Sequence, residues 1–203
     1  ANTYEAQSEV SRIAVENMLS VLRGEPYVHA VNLPFIEQAL TLEQKVYLNL
    51  ARKIGVLAAK VAEVKGNAVK CVHFKMRGNI FDKEEGYTEQ LMPYTISALK
   101  GLLEVSLGEE VTFMLAPILA KDRNINVVES TGEAQTYKNT IEIELETEKE
   151  SILLIGTITE EGRQRIVRVN DYWIDFVPNG KILMFQNYDM PGVIGKIGTL
   201  LGE

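Results

Sequence analysis

Three places in this sequence hold residues whose types and spacing could do chemistry. The first is NYDMPGVIGKIG, residues 187–198. Its glycines, Gly192, Gly195 and Gly198, fall three apart, which fits neither the dinucleotide GxGxxG spacing nor the Walker loop. Lys196 is followed by Ile197, so the hydroxyl that would hold magnesium in a nucleotide cradle is missing. Pro191 is instead predicted at the first position of a helix, whose free N–H groups favour an anion such as a carboxylate. The Asn187 carbonyl and the Asp189 carboxylate before it could take an ammonium, so that the loop suits an amino-acid zwitterion. The competing reading is that Asp189 only caps the helix, while the glycines let it lie close to a sheet.

The second place is GRQRIVR, with Arg163, Arg165 and Arg168, and with Lys75 and Arg77 on a separate apolar run. Side chains alternate along a strand, so Arg165 and Arg168 are predicted on opposite faces and the cluster cannot form one site. One or two of these arginines could hold a carboxylate or phosphate bidentately; otherwise they line a solvated strand face.

The third place is the small set of Cys71, His29 and His73. No Ser or Cys stands beside either histidine as nucleophile beside base, and both are read as structural. One cysteine and two histidines are too few for a Cys/His structural zinc site, and no metal site is expected. Trp173, with Tyr172 and Phe176, reads as core or interface, since no basic stripe surrounds it as a nucleic-acid stacking platform would need.

The elements that must position these residues are legible in outline. Asn2 with Glu5 has capping-box spacing before a helix that Gly24 closes, with Val10, Ile13, Ala14, Met18, Val21 and Leu22 as its stripe. GEPYVHAVNLP reads as an extended connector. Thr41 and Gln44 form a second capping box, and Val46, Leu50, Ile54, Leu57 and Val61 are the predicted buried face of that helix, ended by Gly66. AVKCVHFKM is a predicted strand closed by Gly78, and NIFDKEEGY a polar loop. Helices follow from about Thr88 to Glu104, with Pro93 near the start, and near Thr112–Arg123; INVVE is a short strand.

From Asn139 the texture changes. IEIELET alternates Ile141, Ile143 and Leu145 with Glu142, Glu144 and Glu146, a strand with one wet face. SILLIGTIT is a central strand by its continuous apolar run, and RQRIVRVN, YWIDFV and KILMFQN follow as further strands. Helices early and a meander late predict an α+β fold on a mainly antiparallel sheet.

Composition bounds the rest. A chain of 203 residues, 46% apolar and 24% charged, is in the globular range. Acids outnumber bases 28 to 21, for a net charge of −7, which argues against a nucleic-acid or anionic-membrane partner. A single cysteine allows no intrachain disulfide and points to a reducing, cytoplasmic setting. No apolar run approaches the ~20 residues of a membrane span.

The chain as a whole resembles the D-3-phosphoglycerate dehydrogenase family. ANTYEAQSEVSRIAVENMLSVLRGE is similar to the segment where these enzymes leave their catalytic half, and HAVNLP to the connector after it. LARKIGVLAAKV, ALKGLLE, NINVVES, LIGTI and RIVRVNDYWIDFVPNG resemble landmarks of the family's intervening, allosteric substrate-binding domain. NYDMPGVIGKIGTLLG resembles the opening strand and helix of an ACT domain, a small amino-acid-sensing unit of ferredoxin-like fold. Related intervening domains also occur in iron–sulfur L-serine dehydratases.

The resemblance implies three parts: residues 1–24 as the last helix of the catalytic half, 25–180 as the intervening domain, and 181–203 as the start of a truncated ACT unit. It implies L-serine as effector, its carboxylate near the backbone of Gly192 and Val193 and its amino and hydroxyl groups on Asn187 and Asp189. Arg165 fits an anion-site position for a small phosphorylated or carboxylate effector, whereas Tyr172, Trp173 and Val177 stand where some members carry cationic or His residues. The family's GxGxxG, substrate arginine and Glu/His proton-relay pair have no matching positions here. The expectation is a regulatory piece of a cytoplasmic homo-oligomer whose parent uses NAD, with no cofactor and no catalytic residue in this chain. A stand-alone amino-acid or anion-binding module and a ligand-free oligomerisation scaffold are the alternatives.

Overall fold

The computed structural model describes residues 4–23, 35, 40–66, 68–81, 91–188 and 190–202. Helix α1 spans Tyr4–Arg23 and α2 Leu42–Val64, followed by strand β1, Val69–Arg77, and a short 3-10 turn at Asn79–Phe81. Helices α3, Pro93–Leu107, and α4, Leu115–Asp122, lead to β2, Asn126–Gly132. Strands β3, Thr140–Thr147, β4, Ser151–Ile158, β5, Gln164–Val169, and β6, Tyr172–Phe176, form a meander, and α5 covers Val193–Gly202. The six strands make one mixed sheet in the order β2-β1-β3-β4-β5-β6. Only β1 and β2 run parallel, as the crossover through α3 and α4 requires. The fold is α+β, as the sequence predicts.

Helix α2 begins as its sequence dictates. Thr41 Oγ1 accepts from the Gln44 N–H at 3.2 Å while Gln44 Oε1 accepts from the Thr41 N–H at 2.8 Å, so two end donors are satisfied reciprocally. Gly66 then takes the left-handed conformation, φ 66°, that stops the helix. The buried face is rotated from the predicted one. Leu50 and Ile54 are fully buried, but Val46, Leu57 and Val61 are only partly covered, and Ala51, Gly55, Ala58 and Ala62 lie inside. Tyr47 and Leu48 are buried with them, and at Gly55 α3 approaches α2 at backbone distance. A Cβ on Gly55 would overlap the Ala98 carbonyl, and one on Gly101 the Arg52 carbonyl.

The core fills the space between these helices and one sheet face, with Val72, Phe74 and Met76 from β1, Ile141, Ile143 and Leu145 from β3, and Ile152 and Leu154 from β4. Gly156 makes room for Ile54 of α2. Phe81 corrects the reading of its segment as a polar loop: it is fully buried, edge-on to Tyr47 and Tyr94 with ring centroids 5.2 and 4.9 Å away. Residues 82–87 of that predicted loop and 88–90 of the helix predicted after it lie outside the described residues, as do Asn2, Gly24 and the HAVNLP connector with His29.

Pro93 is the first residue of α3, where its missing N–H costs nothing. Glu129 of β2 serves that helix start, accepting from the Met92 N–H at 2.8 Å and from Thr95 Oγ1 at 2.6 Å. The KILMFQN segment is not a strand: residues 181–188 have no regular structure and pair with nothing in the sheet. Alternating apolar residues make a strand only when a neighbour takes their backbone hydrogen bonds. Among the described residues no helix is long and apolar enough to cross a membrane.

Candidate functional site

The polar face of the sheet, opposite α2, gathers the candidate residues. Along β1 the sequence alternates, so Cys71, His73, Lys75 and Arg77 share this face while Val72, Phe74 and Met76 enter the core. Glu142, Glu144 and Glu146 face them from β3. Each β1 side chain reaches diagonally: Arg77 Nε donates to Glu142 Oε1 at 2.6 Å, Lys75 Nζ to Glu144 Oε2 at 3.1 Å, and His73 Nε2 lies 3.0 Å from Glu146 Oε1. The wet face of β3 is therefore a ladder of cross-strand pairs. Its Arg77 end is the least exposed, with side-chain accessibilities of 30% for Arg77 and 13% for Glu142.

The arginines of β5 depart from simple alternation. Arg165 is the register partner of Thr157 and Arg168 of Ile155, two residues apart on β4, because an irregularity around Val167 inserts one residue. The bulge brings Arg165 and Arg168 to the same face, which corrects the prediction that they point apart. They are nonetheless separately engaged. Arg165 Nε donates to Asp175 Oδ1 of β6, and Arg168 Nε to the Asn170 carbonyl at 2.7 Å. Their hydrogen bond lowers the Asp175 carboxyl below its usual range and raises the Arg165 guanidinium further. The Arg168 guanidinium also lies 5.3 Å from the Trp173 ring centre. Trp173 is 64% exposed, not core, and Tyr172 is exposed beside it. Arg163 is exposed at the strand entrance.

The described residues of the terminal loop are exposed from Asn187 to Gly192. Asn187 is exposed and its Nδ2 donates to the adjacent Tyr188 carbonyl at 2.9 Å. Asp189 lies outside the described residues. Pro191 and Gly192 form a turn before α5 rather than its first residues, and Gly192 has φ 89°, which favours glycine. Val193 opens the helix, its N–H 3.4 Å from the Met190 carbonyl. Gly195 and Gly198 meet nothing among the described residues, and Ile194, Leu200 and Leu201 are exposed. Helix α1 likewise exposes Val10, Val15 and Met18.

Two groupings escape the linear sequence. Gln164 of β5 ties the sheet to α2, donating to the Val46 carbonyl at 2.9 Å and accepting from Lys53 Nζ at 2.8 Å. Cys71, His73 and Glu146 converge, with Cys71 Sγ 3.4 Å from His73 Nε2. Burial, then the Glu146 charge, hold the Cys71 thiol above its ordinary range, against a weak hydrogen bond from Asn126. The Cys-x-His spacing on a strand was the available signal; the register that adds Glu146 was not.

In class this is a two-layer α+β domain: helices on one face of a mixed sheet, and paired polar residues on the other. Residues 43–170 match the family model described as the D-3-phosphoglycerate dehydrogenase intervening domain. The chain belongs to that family, and an intervening domain in a dehydrogenase suggests a regulatory region. Over its whole length it is 32% identical to D-3-phosphoglycerate dehydrogenase of Methanocaldococcus jannaschii, 33% to that of Archaeoglobus fulgidus and 29% to that of Bacillus subtilis. It spans 37% of the length of each of these relatives.

A dehydrogenase name implies a nicotinamide cofactor, and the described residues do not fit one. The parallel strand β1 leads into a short 3-10 turn rather than a helix start, and the space above Gly78 is filled by the Asn139 side chain.

Proposed function

We propose that the chain is the regulatory part of a D-3-phosphoglycerate dehydrogenase of L-serine biosynthesis, joining NAD-dependent catalytic domains to a serine-sensing ACT unit. In this reading residues 1–24 end the catalytic half, 25–180 form the intervening domain and 181–203 begin the sensor. The observation that carries it is the family-matched domain at 43–170, flanked by α1 and α5 with uncovered apolar faces. Serine would meet Asn187, Asp189 and the backbone at Gly192 and Val193. By favouring one arrangement of a homo-oligomer it would bias the catalytic cleft through the sheet, a coupling of typically ~1–3 kcal/mol.

The shared face of Arg165 and Arg168 supports a second role, binding a small phosphorylated or carboxylate anion. Such an anion would displace Asp175 from Arg165.

Initial rates of NADH formation from 3-phosphoglycerate test the division of labour. The complete polypeptide is expected to turn over and the 203-residue chain to show none. Turnover by the chain alone, or none by the complete polypeptide, overturns the assignment.

A further inference from the structure

We propose that Cys71, His73 and Glu146 form a binding site for a divalent transition-metal ion of the zinc type on the polar face of the sheet. The two β1 residues are two apart and so project together, and Glu146 is the register partner of Cys71 on β3. One donor atom from each lies within 4.8 Å of the other two. The Sγ–Nε2 separation is 3.4 Å and the Nε2–Oε1 separation 3.0 Å. A tetrahedral zinc ion with Zn–S of about 2.3 Å and Zn–N of about 2.0–2.1 Å spaces its ligands roughly 3.3–3.6 Å apart. Those two separations therefore need only open slightly to admit an ion.

The donor chemistry fits as well as the spacing. Thiolate, imidazole and carboxylate are the zinc ligand types, and together they supply two negative charges against a divalent cation. Asn126 Nδ2, 3.6 Å from Cys71 Sγ, offers the sulfur an outer hydrogen bond. The two lysines of β1 are each engaged elsewhere, Lys70 with Glu148 and Lys75 with Glu144. Three protein ligands leave one coordination position for water or a small anion. Cysteines and histidines alone are too few for zinc in this chain; the third donor, a carboxylate, arrives from another strand.

The test titrates the metal-free 203-residue chain with Co²⁺ and then with Zn²⁺ in competition. One ion per chain is expected, with a thiolate-to-cobalt charge-transfer band that Zn²⁺ abolishes. Cys71→Ser should lose the band, and Glu146→Gln should weaken Zn²⁺ binding by about tenfold or more. His29→Ala should change neither. Glu146 is half exposed, so its variant reports even if Cys71→Ser misfolds. Absence of the band in the wild type, Zn²⁺ affinity unchanged in Glu146→Gln, or loss of binding in His29→Ala overturns the site and leaves a hydrogen-bonded triad only.

Discussion

Gly55 and Gly101 are reciprocal: each stands where the other helix's backbone passes, Gly55 under the Ala98 carbonyl and Gly101 under that of Arg52. The α2–α3 pair can reach this separation only while both positions lack a side chain. A methyl at either must push against backbone rather than against a side chain that can rotate. Gly55→Ala and Gly101→Ala are each expected to lose roughly 1–3 kcal/mol in urea denaturation despite alanine's better helix propensity. Because both force apart the same helix contact, the double variant should lose less than the sum.

The capping box of α2 gives a smaller effect. Thr41→Ala leaves the Gln44 N–H without its side-chain acceptor and should cost about 1 kcal/mol. Thr41→Asn should recover most of it, read from the same denaturation midpoints.

The ladder on the polar face should be uneven. Arg77–Glu142 is partly buried, whereas Lys70–Glu148 has both side chains more than 60% exposed. Double-mutant cycles to alanine should give a measurable coupling for the first pair and a value near zero for the second.

Tyr94 sets an alkaline limit. Burial pushes its hydroxyl up to about 12, and that oxygen has no hydrogen-bond partner among the described residues. Above the ordinary tyrosine value of about 10 the unfolded chain releases a proton that the folded chain keeps. Stability should therefore fall as pH rises from about 10 towards 12. Tyr94→Phe should leave neutral-pH stability nearly unchanged and flatten that alkaline decline in a series of urea midpoints.

How much of this was legible from the sequence depends on range. Thr41, Gln44 and Gly66 act within one turn of chain, and their roles could be read directly. The alternation of Ile141, Ile143 and Leu145 named the correct core face of β3. The face of α2 is rotated from the predicted one because periodicity ranks bulky residues, whereas the close approach of α3 requires Gly55, a residue periodicity ignores. Arg165 and Arg168 were assigned to opposite faces because a bulge at Val167 leaves no sign in residue type. KILMFQN has the pattern of a strand, but the pattern supplies no partner. The meeting of Cys71 with Glu146 is a matter of register between β1 and β3, which spacing along one strand cannot encode.

The central claim is that this domain and the loop after it regulate chemistry performed elsewhere in a longer polypeptide. The direct measurement is the initial rate of the complete enzyme against L-serine, for the wild type and for Asp189→Ala. The account predicts saturable inhibition of the wild type and a dose curve shifted at least about tenfold in the variant, a coupling loss of about 1.4 kcal/mol. A wild-type rate unchanged across the serine range, or identical curves for the two proteins, would contradict it.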